Sequence, residues 1–203
     1  KYLRSTTLGC KDMEIINSKF VTKTQFLSGV GHDDVVNVVA WNCNGLLRQD
    51  KVESVAEAIY KHDIDVVLLS ETHIRSGAVE NLSALQGLVL YHKNRAGFEK
   101  RGGGLLTVVR SSINHSRFTP GLVMHPYLDA ERDWILIHQN NANLAVCSVY
   151  MAADTGGGDH IVWNENLYSM IQSEMTVLQG EGYSCVLAGD FNGHIWDYEG
   201  GVE

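Results

Sequence analysis

Short and almost unbroken apolar runs are spread along the chain between longer polar stretches. The clearest runs cover residues 35–41, which read Val-Val-Asn-Val-Val-Ala-Trp, and residues 65–70. Runs of this length are typical of strands whose two faces are both covered. Further strands are predicted at residues 87–92, 105–110, 134–138, 144–151 and 184–189.

Two other segments repeat apolar residues every three or four positions, which predicts amphipathic helices. The first covers residues 49–62, and the second covers about 161–179, with Asp159 as its cap and two glycines at its end. Strands alternate with helices without any internal repeat. This order predicts a layered α/β or α+β domain.

Residues 1–34 differ from the rest because they are polar and show no sustained period. We therefore expect an N-terminal extension or linker there, followed by one domain over residues 35–203. No apolar run approaches the ~18 residues of a membrane span, and no signal peptide is visible. The four cysteines are far apart and mostly lie in apolar runs, which favours buried thiols in a reducing compartment, nuclear or cytoplasmic.

The net charge of −8 is unevenly distributed. Residues 1–30 carry +3, residues 31–111 carry −1 and residues 112–203 carry −10. Basic residues are concentrated in and near one glycine-ending loop, which makes that loop the best candidate for contact with a phosphate backbone, although it could equally be a solvated surface loop. These candidates are Arg75, Lys93, Arg95, Lys100 and Arg101.

Three of the most apolar predicted strands stop at polar residues. These residues are Asn42 and Asn44 after the first strand, Glu71 and His73 after the second, and Asp190, Asn192 and His194 after the last. Strand ends at one edge of a layered sheet converge, which would bring two carboxylates and several carboxamides together. Such oxygen donors favour Mg²⁺ or Mn²⁺. Alternatively, each acid only caps a turn.

Three motifs carry these residues, namely Trp-Asn-Cys-Asn-Gly, Ser-Glu-Thr-His and Gly-Asp-Phe-Asn-Gly-His. A fourth motif, Val-Tyr-Met-Ala, lies between the second and the last of them. Together they resemble the endonuclease/exonuclease/phosphatase superfamily, and most closely the apurinic-type endonuclease domain of LINE-like (RTE-type) non-LTR retrotransposons. The resemblance implies an α+β fold, a four-layer α/β/β/α sandwich of two mixed sheets flanked by helices. It also implies an Mg²⁺- or Mn²⁺-dependent endonuclease that nicks double-stranded DNA. The reverse transcriptase of the same polyprotein is an implied partner, and a membrane is not.

Carried over position by position, the resemblance implies specific residue roles. Glu71 would be the main metal ligand, with Asn44 reaching the metal through water. Asp190 would align or deprotonate the attacking water, and Tyr150 would hydrogen-bond the phosphate. The implied catalytic residues are Asn42, Glu71, Tyr150, Asp190 and Asn192. His73 and His194 join the basic loop residues as expected DNA contacts.

One motif of the superfamily, its terminal Ser-Asp-His, has no counterpart in these residues. The resemblance therefore implies a second sheet that lacks its C-terminal strands, and weak or no activity of the isolated chain. Gly158-Asp159-His160 is instead interpreted as the start of a helix. Two other functions stay open, namely a phosphoesterase acting on RNA or phospholipid headgroups and a non-catalytic binding or structural module of the same fold.

Overall fold

The computed structural model describes residues 3–7, 21–27, 35–74, 82–94, 103–121, 126–138, 143–153 and 159–192. Three helices lie in these segments, α1 (Gln49–Lys61), α2 (Pro126–Asp129) and α3 (Asp159–Gly180), together with a short 3₁₀ turn at Ser83–Leu85. Ten strands complete the described elements. They are β1 (Leu3–Thr7), β2 (Val21–Leu27), β3 (Val35–Asn42), β4 (Val66–Ser70), β5 (Leu88–Lys93), β6 (Leu105–Arg110), β7 (His115–Arg117), β8 (Arg132–His138), β9 (Asn143–Tyr150) and β10 (Tyr183–Asp190).

The strands form two mixed sheets, with the orders β1-β2-β3-β4-β6-β5 and β10-β9-β8-β7. Each sheet contains one parallel pair whose strands are joined through a helix. Helix α1 connects β3 to β4, and α3 connects β9 to β10. Asn42 lies opposite Ser70 at the end of the first parallel pair, and Tyr150 lies opposite Asp190 at the end of the second. The two strands of each pair therefore end level with each other. Each helical crossover therefore brings two strand ends side by side.

Three apolar layers hold the fold together. Helix α1 packs on the outer face of the first sheet through Val52, Val55 and Ile59, and α3 packs on the outer face of the second through Leu167 and Ile171. A third layer lies between the sheets and is formed by Val36, Val38, Val66, Leu68, Ile135, Ile137, Leu144 and Val146, among others. The predicted four-layer sandwich is confirmed. Each fully buried aliphatic side chain in these layers contributes about 1.5–3 kcal/mol.

A buried ion pair attaches α3 to the second sheet. The Arg132 guanidinium of β8 forms a bidentate pair with Glu174 of α3, and its Nε donates to Glu174 Oε2 at 2.7 Å. The indole Nε1 of Trp134 donates to the same oxygen at 2.9 Å. Arg132 is only 1% exposed, so its charge needs this partner, and removing either one would cost about 3–5 kcal/mol.

Most predicted elements agree with the structure to within two residues, including the start of α3 at Asp159. Five described elements were not predicted, namely β1, β2, β7, α2 and the 3₁₀ turn at Ser83–Leu85. Strands β1 and β2 lie inside the polar segment 1–34, where β1 pairs with β2 and β2 pairs with β3. The division of the chain at residue 34 stays a prediction. No helix in the described segments is long and apolar enough to cross a membrane.

Candidate active site

Two of the polar residues predicted at the strand ends, Asn42 and Asp190, extend the layer between the two sheets. Side chains alternate along a strand, so the face that carries Val38 and Ala40 of β3 ends at Asn42. By the same alternation, Val186 and Ala188 of β10 are followed by Asp190. Each inner face is thus apolar along its length and polar at its carboxyl end.

A direct hydrogen bond joins the two sheets at this polar end. Nδ2 of Asn42, at the end of β3, donates to Oδ2 of Asp190, at the end of β10, at 2.6 Å. The two residues are 148 positions apart in sequence. The first and last of the predicted motifs therefore meet in the structure.

The loop after β3 is bonded to the segment after β4. Cys43 N donates to Ser70 O at 3.0 Å, Gly45 N to Glu71 O at 2.7 Å and Leu46 N to Thr72 O at 2.8 Å. These bonds continue the parallel pairing of β3 and β4 past their last residues. As a consequence, the backbone of Glu71 has a fixed position relative to Asn42, and the second motif lies beside the first at this edge of the sheet.

Four predicted site residues have left-handed backbone conformations, with φ of 42° at Asn44, 53° at Glu71, 55° at His73 and 44° at Asn192. This conformation is uncommon for residues other than glycine. It costs free energy and persists only where the surrounding structure imposes it, as happens often at functional sites. Here, the backbone bonds of the loop after β3 impose it on Glu71.

On the second sheet, Asp190 is held from several directions. Asn192 N donates to Asp190 Oδ1 at 3.0 Å, so each carboxylate oxygen accepts one hydrogen bond. Met151 N donates to the backbone oxygen of Asp190 at 2.8 Å, and Nδ2 of Asn192 donates to Met151 O at 2.7 Å. Tyr150 directly precedes Met151 and is half-buried. These bonds bring the third and fourth motifs together.

The Glu71 carboxylate is half-buried, and within the described segments no side chain donates a hydrogen bond to it or forms an ion pair with it. Both of its oxygens therefore stay available to a cation. The described residues contain no group of three His, Cys, Asp or Glu side chains placed to hold a metal ion. A metal here would rely on Glu71, amide oxygens and water, which is a donor set that suits Mg²⁺.

Cys43 lies between Asn42 and Asn44 but is unsuited to nucleophilic chemistry. Its Sγ is buried and lies 3.2 Å from Ser70 O. Burial raises the pKa of the Cys43 thiol to about 12, against the opposing effect of the nearby Lys51 ammonium. At neutral pH the thiol is protonated, so the reactive groups at this site are oxygen donors and amides.

Most of the predicted DNA contacts lie outside the described residues, namely Arg75, Arg95, Lys100, Arg101 and His194. Lys93 is described, and its ammonium lies 3.2 Å from Asp129 Oδ2 and donates to the Asp129 backbone oxygen at 3.0 Å. His73 is half-buried, and its ring lies against Gly45, where an added Cβ would be 3.2 Å from Nδ1. The roles of these residues in DNA contact stay predictions.

Two residues that support the site were missed at the sequence level. Lys51 of α1 donates to three backbone oxygens in the loop after β3. Asn164 of α3 pairs with both backbone groups of Ala152, at 3.0 Å each, just after Tyr150. No sequence pattern marks Asn164. Lys51 carries a weak signal, since a lysine in the first turn of a helix opposes the helix dipole.

Comparison with known proteins identifies the fold. The model of the Endonuclease/Exonuclease/phosphatase family matches residues 39–201. The chain belongs to this family. The 3′ phosphatase NExo from Neisseria has a similar structure, with a TM-score of 0.58 and 19% identity over 79% of this chain and 59% of that one. For TDP2 from Caenorhabditis elegans, the TM-score is 0.52 and the identity 15%, over 78% of this chain and 48% of that one.

Two curated proteins of Drosophila melanogaster are similar in sequence to this chain. One is the RNA-directed DNA polymerase from mobile element jockey, 36% identical over 80 residues. The other is a probable RNA-directed DNA polymerase from transposon X-element, 31% identical over 85 residues. The matches cover 39% and 42% of this chain but only 8% and 9% of those proteins. The predicted kinship with non-LTR retrotransposons is confirmed.

Proposed function

We propose that the chain is a divalent-metal-dependent phosphodiesterase that nicks one strand of double-stranded DNA, as the endonuclease domain of a LINE-like retrotransposon or a domesticated relative. The observation that carries this proposal is the hydrogen bond between Asn42 and Asp190, which joins the ends of two sheets. The neighbouring strand ends carry two further polar residues that support the proposal, namely Glu71, which directly follows β4, and the half-buried Tyr150, which ends β9. The family description names endonucleases and exonucleases, which hydrolyse phosphodiesters, and this supports the same reaction class.

Asp190 suits the role of the group that orients and deprotonates water. Both of its oxygens already accept one hydrogen bond, from Asn42 and from the backbone of Asn192. The orientation of the carboxylate is therefore fixed, and each oxygen keeps a lone pair for a water molecule. A base that is held in place before the reaction saves the entropy of arranging it during the reaction.

A phosphodiester is anionic and repels an anionic nucleophile, so the site needs positive charge. Glu71 would hold Mg²⁺ or Mn²⁺, with Asn44 contributing through water. When bound, the metal supplies that charge and lowers the pKa of its water. Tyr150 and Asn42 would add neutral donors to the phosphate oxygens. Neutral donors stabilise developing charge without forming an ion pair with Asp190.

The names of the two relatives support DNA as the substrate, because both are polymerases of mobile elements that copy RNA into DNA. An endonuclease that leaves a 3′-hydroxyl would supply the primer for such copying. The proposed partners are therefore duplex DNA and the reverse transcriptase of the same polyprotein.

A nicking assay tests this function. Supercoiled plasmid, a folded RNA and a phosphoinositide headgroup are each incubated with the chain in Mg²⁺, with and without EDTA. We expect slow plasmid nicking that EDTA abolishes, with 3′ ends that a polymerase extends. Glu71→Ala should lower the rate at least about 100-fold, while Glu57→Ala, on the exposed face of α1, should not change it. Faster cleavage of RNA or headgroup would reassign the substrate, and equal rates for wild type and Glu71→Ala would refute the site.

A further inference from the structure

A single ammonium group organises the loop that connects β3 to α1. Nζ of Lys51 donates to the backbone oxygens of Cys43 at 2.8 Å, Asn44 at 2.9 Å and Gly45 at 2.9 Å. An ammonium has three donors, so this contact uses all of them. Three carbonyl groups in a row face one side chain, and that side chain belongs to the next helix.

The position of Lys51 runs against the local electrostatics of its own helix. It lies in the first turn of α1, where the helix dipole favours acidic side chains such as Asp50. A lysine there is disfavoured by the dipole. The three carbonyl oxygens account for its presence, because each carries a partial negative charge that the ammonium stabilises.

Almost every backbone N–H and carbonyl group of residues 43–46 has a hydrogen-bond partner, and Lys51 is the partner of three of the carbonyl groups. Their four N–H groups donate to Ser70 O, Asn42 Oδ1, Glu71 O and Thr72 O. The first three of their carbonyl groups accept from Lys51. The loop needs such support, since Asn44 and Gly45 both adopt positive φ, at 42° and 87°, which brings successive carbonyls close together.

We propose that Lys51 is a positioning residue, which sets the loop 43–46 and, through it, Asn42 and Glu71 for phosphodiester chemistry. The role of Lys51 in phosphodiester chemistry rests on the proposed function, whereas its role in holding the loop does not. Lys51 acts through the backbone: Asn44 N bonds the Asn42 carboxamide, and Gly45 N bonds the Glu71 carbonyl. Without the ammonium, the loop loses the bonds that hold it on the side of α1. The positions of Asn42 and Glu71, which are bonded to this loop, are then less well defined.

Amide hydrogen exchange at residues 43–46 tests the geometry without metal or DNA. In Lys51→Met, which has a similar length but no charge, exchange of the Asn44, Gly45 and Leu46 amides should accelerate at least about tenfold. Lys61→Met removes the exposed lysine in the last turn of the same helix and should leave those amides unchanged. Unchanged exchange in Lys51→Met, or equal acceleration in both variants, would overturn the proposal.

Restoring the ammonium chemically provides a second readout. Lys51→Cys treated with 2-bromoethylamine regains a side chain of lysine length that ends in an amine. Cys10, which lies outside the described residues, is replaced by serine in this variant. Burial raises the pKa values of the Cys43, Cys147 and Cys185 thiols, which slows their reaction near pH 8. Lys51→Met treated in the same way controls for alkylation at these thiols. We expect the alkylated protein to recover wild-type exchange, and failure to recover would contradict the role of the ammonium.

Mn²⁺ titration separates positioning of the site from simple support of the loop. Lys51→Met should bind Mn²⁺ several-fold more weakly than wild type, and Lys61→Met should bind it equally well. Equal affinity in Lys51→Met and wild type would show that the lysine does not act on the site. If the wild type itself binds no Mn²⁺, the proposed function fails, while the exchange data still decide whether Lys51 holds the loop.

Discussion

The two strands that lead to the acidic residues of the site differ in their surroundings. Strand β4, which precedes Glu71, has neighbours on both sides in its sheet, and all five of its residues are buried. Strand β10, which ends at Asp190, pairs with β9 on one side only among the described strands, and each of its eight residues is partly exposed. One half of the site is held by burial, and the other half depends more on specific contacts.

This difference shows how a site can be assembled from parts that are held in place in different ways. Glu71 is held in place by the buried strand that precedes it and by backbone bonds to the loop after β3. Asp190 depends on the pairing of β10 with β9, on the side-chain amide of Asn42 across the sheets and on the backbone N–H of Asn192. Changes in β10 should therefore disturb Asp190 through its pairing, whereas changes in β4 should mainly lower the stability of the whole fold.

The largest effect is expected at Gly189, directly before Asp190. Its φ is 148°, and an added Cβ would lie 2.0 Å from Val149 O of the neighbouring strand. Gly189→Ala must therefore separate β10 from β9, which should lower the free energy of unfolding by more than about 4 kcal/mol. Urea denaturation measures it. Gly182→Ala, at a positive φ of 88° with open space around it, serves as the control and should cost only about 1–2 kcal/mol. A similar loss in both variants would contradict the close contact.

A smaller effect should distinguish β4 from β10 by packing alone. Leu69 of β4 is fully buried under α1, while Leu187 of β10 is partly buried under α3. Leu69→Ala should cost about 2–5 kcal/mol, because it removes contacts on every side and leaves a cavity. Leu187→Ala should cost about 2 kcal/mol less, since water already reaches part of its surface. Equal losses in urea denaturation would remove the contrast between the two strands.

The strands of the buried layers were predictable because burial on both faces leaves a continuous apolar run. For this reason β4 and β6 agree with the prediction almost residue for residue. Strand β7 has only three residues, His115–Arg117, all at least partly exposed, so no apolar pattern marks it. Strands β1 and β2 are too polar for periodicity to reveal, and they are recognised only because β1 pairs with β2 and β2 pairs with β3.

For the site, the sequence could place Asn42, Glu71 and Asp190 at strand ends but could not show that they meet. That meeting depends on which strands pair and on how two sheets stack, which are properties of the whole fold. The proposed role of Lys51 had only a weak sequence signal, because it depends on two successive residues with positive φ in a loop, Asn44 and Gly45. The ion pair of Lys93 with Asp129 could not be predicted either, because Asp129 belongs to α2, a short helix that has no sequence signal.

Binding of one divalent cation at Glu71 tests the central claim most directly, since it requires the assembled site but not a particular substrate. Free Mn²⁺ is measured by electron paramagnetic resonance during titration of wild type, Glu71→Ala and the exposed control Glu57→Ala. We predict one site in wild type and in Glu57→Ala, competed by Mg²⁺, and its loss in Glu71→Ala. No binding in wild type, or equal binding in Glu71→Ala, would contradict the account.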